Sequence, residues 1–141
     1  MGKLAIVYWS GTGNTEEMAN YVLEGAMSAG GEAQLYTADE FPVEELDNVS
    51  TVAFGCPSMG NEELEDMEFQ PMFDACRPKL KGKPIGLFGS FGWGDGAWMR
   101  KWEQECRDIG ADLTHEGIIC NEAPDEAAAR ACRRLGMSLA R

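Results

Sequence analysis

Short apolar runs alternate with segments of helical period along this chain. Leu4–Tyr8 is continuously apolar, as expected for a central parallel strand covered on both faces. Ala33–Tyr36, Val49–Cys56, Lys83–Gly89 and an interrupted pair, Ala111–Thr114 with Gly117–Cys120, read as the other strands. Between them lie amphipathic stripes. Met18, Val22, Gly25, Ala26 and Ala29 share one face, and Gly30-Gly31 ends that helix. A helix around residues 67–77 turns Phe69, Met72, Phe73 and Cys76 inward. Another, running to about Ile109, buries Trp98, Trp102, Cys106 and Ile109. The last carries Ala128, Ala131, Leu135 and Leu139, with acids early and arginines late, as the helix dipole prefers. Asp39 to Asp47 is an acidic connection tacked to the core by Val43 and Leu46. Strands alternating with helices predict an α/β, doubly wound parallel sheet. In such a sheet ligands bind at the carboxyl ends of the strands. The loops that leave those ends are 9–15, 57–63 and 90–96, with 121–125 beside them.

Composition narrows this picture. The 141 residues are the size of a single domain, 1–141. No run approaches the ~18 apolar residues of a membrane helix, and a lone Lys3 before a strand does not read as a signal peptide. The 5 cysteines are widely spaced and contain no CxxC, which argues for a reducing, cytoplasmic setting and against a disulfide framework or zinc site. The net charge of −12 argues against nucleic acid. Its distribution is uneven. Leu4 to Cys76 holds fifteen Asp and Glu and no Lys or Arg, whereas Arg77 onward holds eleven basic and nine acidic residues. The acidic half is either a solubility device or a docking face and field for cationic partners and a bound cofactor.

Candidate chemistry gathers in the loops. Ser10, Thr12, Asn14 and Thr15 alternate with Gly11 and Gly13 where the first strand gives way to a helix. Hydroxyls, backbone N–H groups and a helix N-terminus suit a phosphate monoester. The Lys of a GxxxxGK[ST] loop and the third Gly of a dinucleotide fingerprint are both missing. The plain alternative is a strand-to-helix turn capped by Thr12 or Asn14. In the second loop Met59-Gly60 sits between Ser58 and Asn61, and in the third Trp93 sits between glycines, where a flat ligand suits it better than a core does. Trp9 could line the site or its rim. The single His115 lies away from these loops, and no cysteine has a basic neighbour to activate it. With no nucleophile or general base in view, a bound cofactor would do the chemistry itself.

Three stretches in order, Tyr8-Trp9-Ser10-Gly11-Thr12-Gly13-Asn14-Thr15, Gly55-Cys56-Pro57-Ser58-Met59-Gly60 and Leu87-Phe88-Gly89-Ser90-Phe91-Gly92-Trp93-Gly94-Asp95-Gly96, closely resemble the short-chain flavodoxins of anaerobic bacteria. The resemblance spans nearly the whole chain. It implies a flavodoxin-like five-stranded parallel sheet, order 2-1-3-4-5, with helices on both faces. It also implies non-covalent FMN in a low-potential one-electron carrier of ferredoxin-like role, shuttling between neutral semiquinone and anionic hydroquinone. Ser10, Thr12, Gly13, Asn14 and Thr15 would hold the phosphate, with Gly11 beside them. Trp93 would stack on one face of the isoalloxazine and Met59 would cover the other. Glu63 would accept from the ring N3–H, and backbone N–H groups of Ser90, Phe91, Gly92, Trp93 and Gly94 would meet the pyrimidine oxygens. Pro57, Ser58, Glu62 and Asn121 complete the implied contacts. Gly60 is the position whose carbonyl turns toward flavin N5, and Asn61, which tolerates positive φ, is expected to favour that turned state. A β-branched residue at Asn61 should therefore shrink semiquinone accumulation in a reductive titration; an unchanged yield would count against this. The implied partners are redox proteins with basic docking faces, met by a monomer. The alternatives are a flavodoxin-like quinone or nitro-group reductase, against which the short loops argue, and a phosphate-binding receiver domain, which would need a Lys at a strand end.

Overall fold

In a computed structural model, which describes residues 3–60 and 62–140, the chain forms a parallel sheet between two helical layers. The elements run β1 (Lys3–Tyr8), α1 (Asn14–Ser28), β2 (Glu32–Thr37), β3 (Thr51–Gly55), α2 (Phe69–Cys76), β4 (Pro84–Phe91), α3 (Ala97–Asp108), β5 (Asp112–Leu113), β6 (Ile118–Asn121) and α4 (Glu126–Leu139). The sheet order is β2-β1-β3-β4-β5, with β6 also paired to β4. Every pairing is parallel. This is the expected 2-1-3-4-5 order, with its fifth strand in two pieces. Pro84 and Ile85 pair with β5, and Phe88 to Phe91 pair with β6, which leaves residues 114–117 to bridge the gap.

The uniformly apolar central strands are explained by two cores, one on each face. One joins Val7, Val52, Phe54 and Leu87 to the buried sides of α2 and α3, including Phe69, Phe73, Trp98 and Trp102. The other joins Leu4, Ile6, Ala53 and Phe88 to α1 and α4. On α1 and α4 the expected stripes are deepened by glycine. Gly25 and Gly136 are both buried, and each meets the backbone of the other helix.

Several boundaries differ from the sequence reading. β3 starts at Thr51 instead of Val49, because Ser50 N–H already bonds Lys3 O at 2.9 Å outside the ladder. β4 continues through Ser90 and Phe91, since Cys120 and Asn121 pair with them; these two residues and Asn121 are strand ends and not loop. α2 begins only at Phe69 because the preceding N–H groups are claimed by a side chain. Ile109 is a half-buried cap after α3, and Ala131 is half-buried while Cys132 beside it is fully buried. Among the described residues no helix is long and apolar enough to cross a membrane.

Candidate functional site

The carboxyl ends of β1, β3 and β4 open on a cleft of about 300 Å³. It is lined by Trp9, Gly11, Thr12, Asn14, Thr15, Pro57, Ser58, Met59, Ser90, Phe91, Gly92 and Glu122. All three expected loops therefore meet in one place, and no Lys or Arg lines it among the described residues.

The first loop leaves several backbone donors unclaimed. Gly13 stands at the N-cap of α1 with φ 97°, a conformation open to glycine at little cost. No side chain caps the helix in the usual manner. Instead Ser10 Oγ accepts from Gly13 N at 3.1 Å and Glu16 N at 3.2 Å, folding the loop back on itself. The N–H groups of Gly11, Thr12, Asn14 and Thr15 have no acceptor among the described residues. Four unclaimed donors at a helix N-terminus match a phosphate. Thr15 is buried, and its hydroxyl shares a 2.9 Å hydrogen bond with Ser90, tying the first loop to the third. Ser10 and Gly13 thus shape the loop without lining the cleft.

The second loop is a tight turn. Met59 and Glu63 exchange backbone hydrogen bonds of 2.8 and 3.0 Å, with Gly60 exposed at the tip at φ 48°. Asn61 lies outside the described residues. Of the two acids that follow, Glu63 is exposed. Glu62, held at φ 58°, turns its carboxylate across to the third loop, where Oε1 accepts from Ala97 N at 3.2 Å at the start of α3. A Cβ at Gly94 would lie 2.6 Å from that same oxygen. Glu62, then, is the carboxylate that stands between the loops.

Trp93 is 65% exposed and follows Gly92 of the cleft without itself lining it, whereas Trp98 and Trp102 are buried in the core, as their helical spacing predicts. Asn121 Nδ2 reaches Phe91 O at 3.4 Å and lines no part of the cleft. Glu122 does line it, at φ 61° with its N–H on Phe91 O at 2.8 Å. Nothing in its sequence neighbourhood marks a glutamate for a left-handed turn, so its place came from the pairing of β6 with β4.

Behind the second loop, Cys56 is fully buried. Burial pushes its thiol far above the ordinary range, so it stays protonated. Its sulfur accepts from Glu65 N at 3.4 Å. Glu65, itself 5% exposed, gathers the N–H groups of Met67, Glu68 and Phe69 at 2.8 Å each. Burial alone would raise its carboxyl, but the three N–H donors outweigh it and the net shift is downward. Glu65 is the main residue that sequence reading missed. Its signal was position: an acid three residues before Glu68 and four before the first buried aromatic of a helix.

An open parallel sheet with unclaimed N–H donors and a cation-free cleft at its strand ends defines a mononucleotide-binding α/β protein. The comparisons with known proteins carry this further. The flavodoxin family profile matches residues 6–136. The flavodoxin of Megasphaera elsdenii is 45% identical over 136 residues, covering 96% of this chain and 97% of its own. That of Clostridium beijerinckii is 39% identical over 137 residues, covering 97% and 99%. The solution structure of two-electron reduced Megasphaera elsdenii flavodoxin superposes with a TM-score of 0.90 at 44% identity, over 97% of this chain and 98% of that one. The chain belongs to the flavodoxin family. It is an FMN-binding electron-transfer protein and not an enzyme with a substrate of its own. The residues present fit that cofactor: a neutral phosphate cradle, a cleft with apolar walls, and a free indole at its edge.

Proposed function

We propose that this protein is a low-potential one-electron carrier, ferredoxin-like in role, which works between the neutral semiquinone and anionic hydroquinone of non-covalently held FMN. The observation that carries this reading is the cradle of unclaimed N–H groups at the start of α1, in a cleft that no Lys or Arg lines among the described residues. FMN supplies the redox chemistry, and the chain supplies binding, orientation and field. The N–H groups of Gly11, Thr12, Asn14 and Thr15, with the Thr12 hydroxyl and Asn14 amide, hold the phosphate. Met59 covers one face of the flavin and Trp93, free of core contacts, lies on the other. The N–H groups of residues 90–94 meet its pyrimidine edge. Of the two acids that follow Gly60, Glu62 is the one turned toward the third loop, and it takes the role that the resemblance gives Glu63, which is exposed and whose backbone is paired with Met59. Met59 and Glu63 lock the base of the second loop, with Gly60 exposed above them.

The acidic half now has a physical role. A cleft with no cation among its described lining residues, with exposed Glu16, Glu63, Glu68 and Glu122 on or beside its loops, disfavours adding a negative charge to the cofactor. The second electron is then held at low potential. The same carboxylates steer basic faces of redox partners into brief, salt-sensitive contact with a monomer in the cytoplasm. Stepwise anaerobic reduction is expected to turn the yellow protein blue before it bleaches. The second potential should rise modestly with ionic strength, since salt screens only exposed charges. A colourless protein that leaves FMN fluorescence unchanged would overturn the reading. A second potential indifferent to salt would remove the role given to the surface acids.

A further inference from the structure

Glu68 lines no part of the FMN cleft, yet it holds one of the walls. Trp9 forms that wall, and its indole Nε1 donates to Glu68 Oε1 at 2.9 Å, across 59 residues of sequence. The ring lies directly against the phosphate loop. A Cβ added at Gly11 would meet Trp9 Cη2 at 3.0 Å and Cζ3 at 3.2 Å. Indole has one polar atom, so this hydrogen bond is the ring's only polar anchor. Glu68 is fixed in turn. Its N–H donates to Glu65 Oε1 at 2.8 Å, and the buried Glu65 donates its own N–H to Cys56 Sγ at 3.4 Å, just past the end of β3. A continuous chain of contacts, Cys56, Glu65, Glu68, Trp9, Gly11, thus runs from the exit of β3 to the exit of β1.

We propose that Glu68 is a positioning residue for the FMN phosphate: it holds the Trp9 indole against Gly11, and so keeps the N–H groups of Gly11 and Thr12 directed into the cleft. The proposal rests on FMN occupying this cleft with its phosphate at residues 10–15. Gly11 and Thr12 precede α1 and are both exposed, so the helix does not hold them, and the indole packs at Gly11. The effect of losing Glu68 must therefore fall on a flavin that carries a phosphate and spare one that lacks it. A merely structural role would weaken both alike.

The test compares FMN release with riboflavin release from the holoprotein, each followed by recovery of flavin fluorescence on dilution. Glu68 is exposed and its backbone bond to Glu65 survives substitution, so the variants should fold. Glu68→Ala is expected to release FMN about tenfold faster, with riboflavin release within about twofold of the parent protein. Glu68→Gln keeps a carbonyl acceptor for the indole and should stay within about threefold for FMN. Trp9→Phe keeps a ring without the N–H, and adding Glu68→Ala to it should change nothing further. Unchanged FMN release in Glu68→Ala would overturn the proposal, as would equal acceleration for both flavins, or a Glu68→Gln protein as fast as Glu68→Ala. If the parent protein itself releases FMN and riboflavin alike, the phosphate site at residues 10–15 falls, and the proposal falls with it.

Discussion

Glu65→Ala is expected to destabilise the flavin-free protein by about 3 kcal/mol, because it strands three N–H groups at the start of α2. Charge-assisted hydrogen bonds are worth more than neutral ones, and here one buried carboxylate takes all three. Glu65→Gln keeps one acceptor oxygen without the charge and should lose about half as much. The pH dependence follows from the direction of the shift. The folded-state carboxyl lies below its ordinary value of 4.5. Its ionised form therefore contributes stability in full above that value, and the contribution is lost as pH falls through the lower, folded one. The gap between the natural protein and Glu65→Gln should be widest near neutrality and close in acid. Urea unfolding at a series of pH values measures it. A gap that stays constant from neutrality into acid would show that the charge on Glu65 does not matter.

Gly25→Ala is expected to cost about as much, near 3 kcal/mol, although alanine is the better helix former by about 1 kcal/mol. A Cβ at Gly25 would enter the space of the Arg133 carbonyl on α4, and a Cβ at Gly136 would enter that of the Val22 carbonyl on α1. The two glycines let the helix backbones touch, and backbone yields less than the tip of a side chain. Gly136→Ala should behave alike. Gly30→Ala provides the contrast: nothing stands near its Cβ, and only its φ of 77° opposes the change. Denaturant midpoints rank the three. A Gly25→Ala protein as stable as the parent, or more so, would mean that the helices separate at little cost. Since α1 also presents the phosphate loop, FMN affinity should fall in the same variant.

Much of the cleft was legible because loops rich in glycine, hydroxyls and amides at strand ends stand out within a few residues. Gly11, Thr12, Asn14 and Thr15 form a wall of the cleft, and the loops that hold Met59 and Gly92 close it, as their glycine-rich, hydroxyl-rich composition indicated. The exposure of Trp93 and the burial of Trp98 and Trp102 followed from flanking glycines in one case and helical spacing in the other. The rest depended on contacts between distant segments. Ser10 turned out to serve its own loop, because its hydroxyl reaches two N–H groups only after the chain has folded back. Glu62 and Glu63 are indistinguishable as neighbours in sequence; the antiparallel pairing of Met59 with Glu63 sends one carboxylate to α3 and leaves the other outside.

Periodicity and composition alone determined the alternation of strands and helices, the place of the binding loops, the absence of a cation from the first of them, and the acidic half of the chain. These are local properties, carried by residues within a few positions of each other, and local chemistry decides them. Only the tertiary structure decided that Glu65 caps α2, that Trp9 is held by Glu68, that Thr15 bonds Ser90, and that Gly25 and Gly136 bring two helices into backbone contact. Each of those depends on where two segments far apart in sequence come to rest. That is settled by the packing of both cores against the sheet, a cooperative property of the whole chain that no short stretch contains.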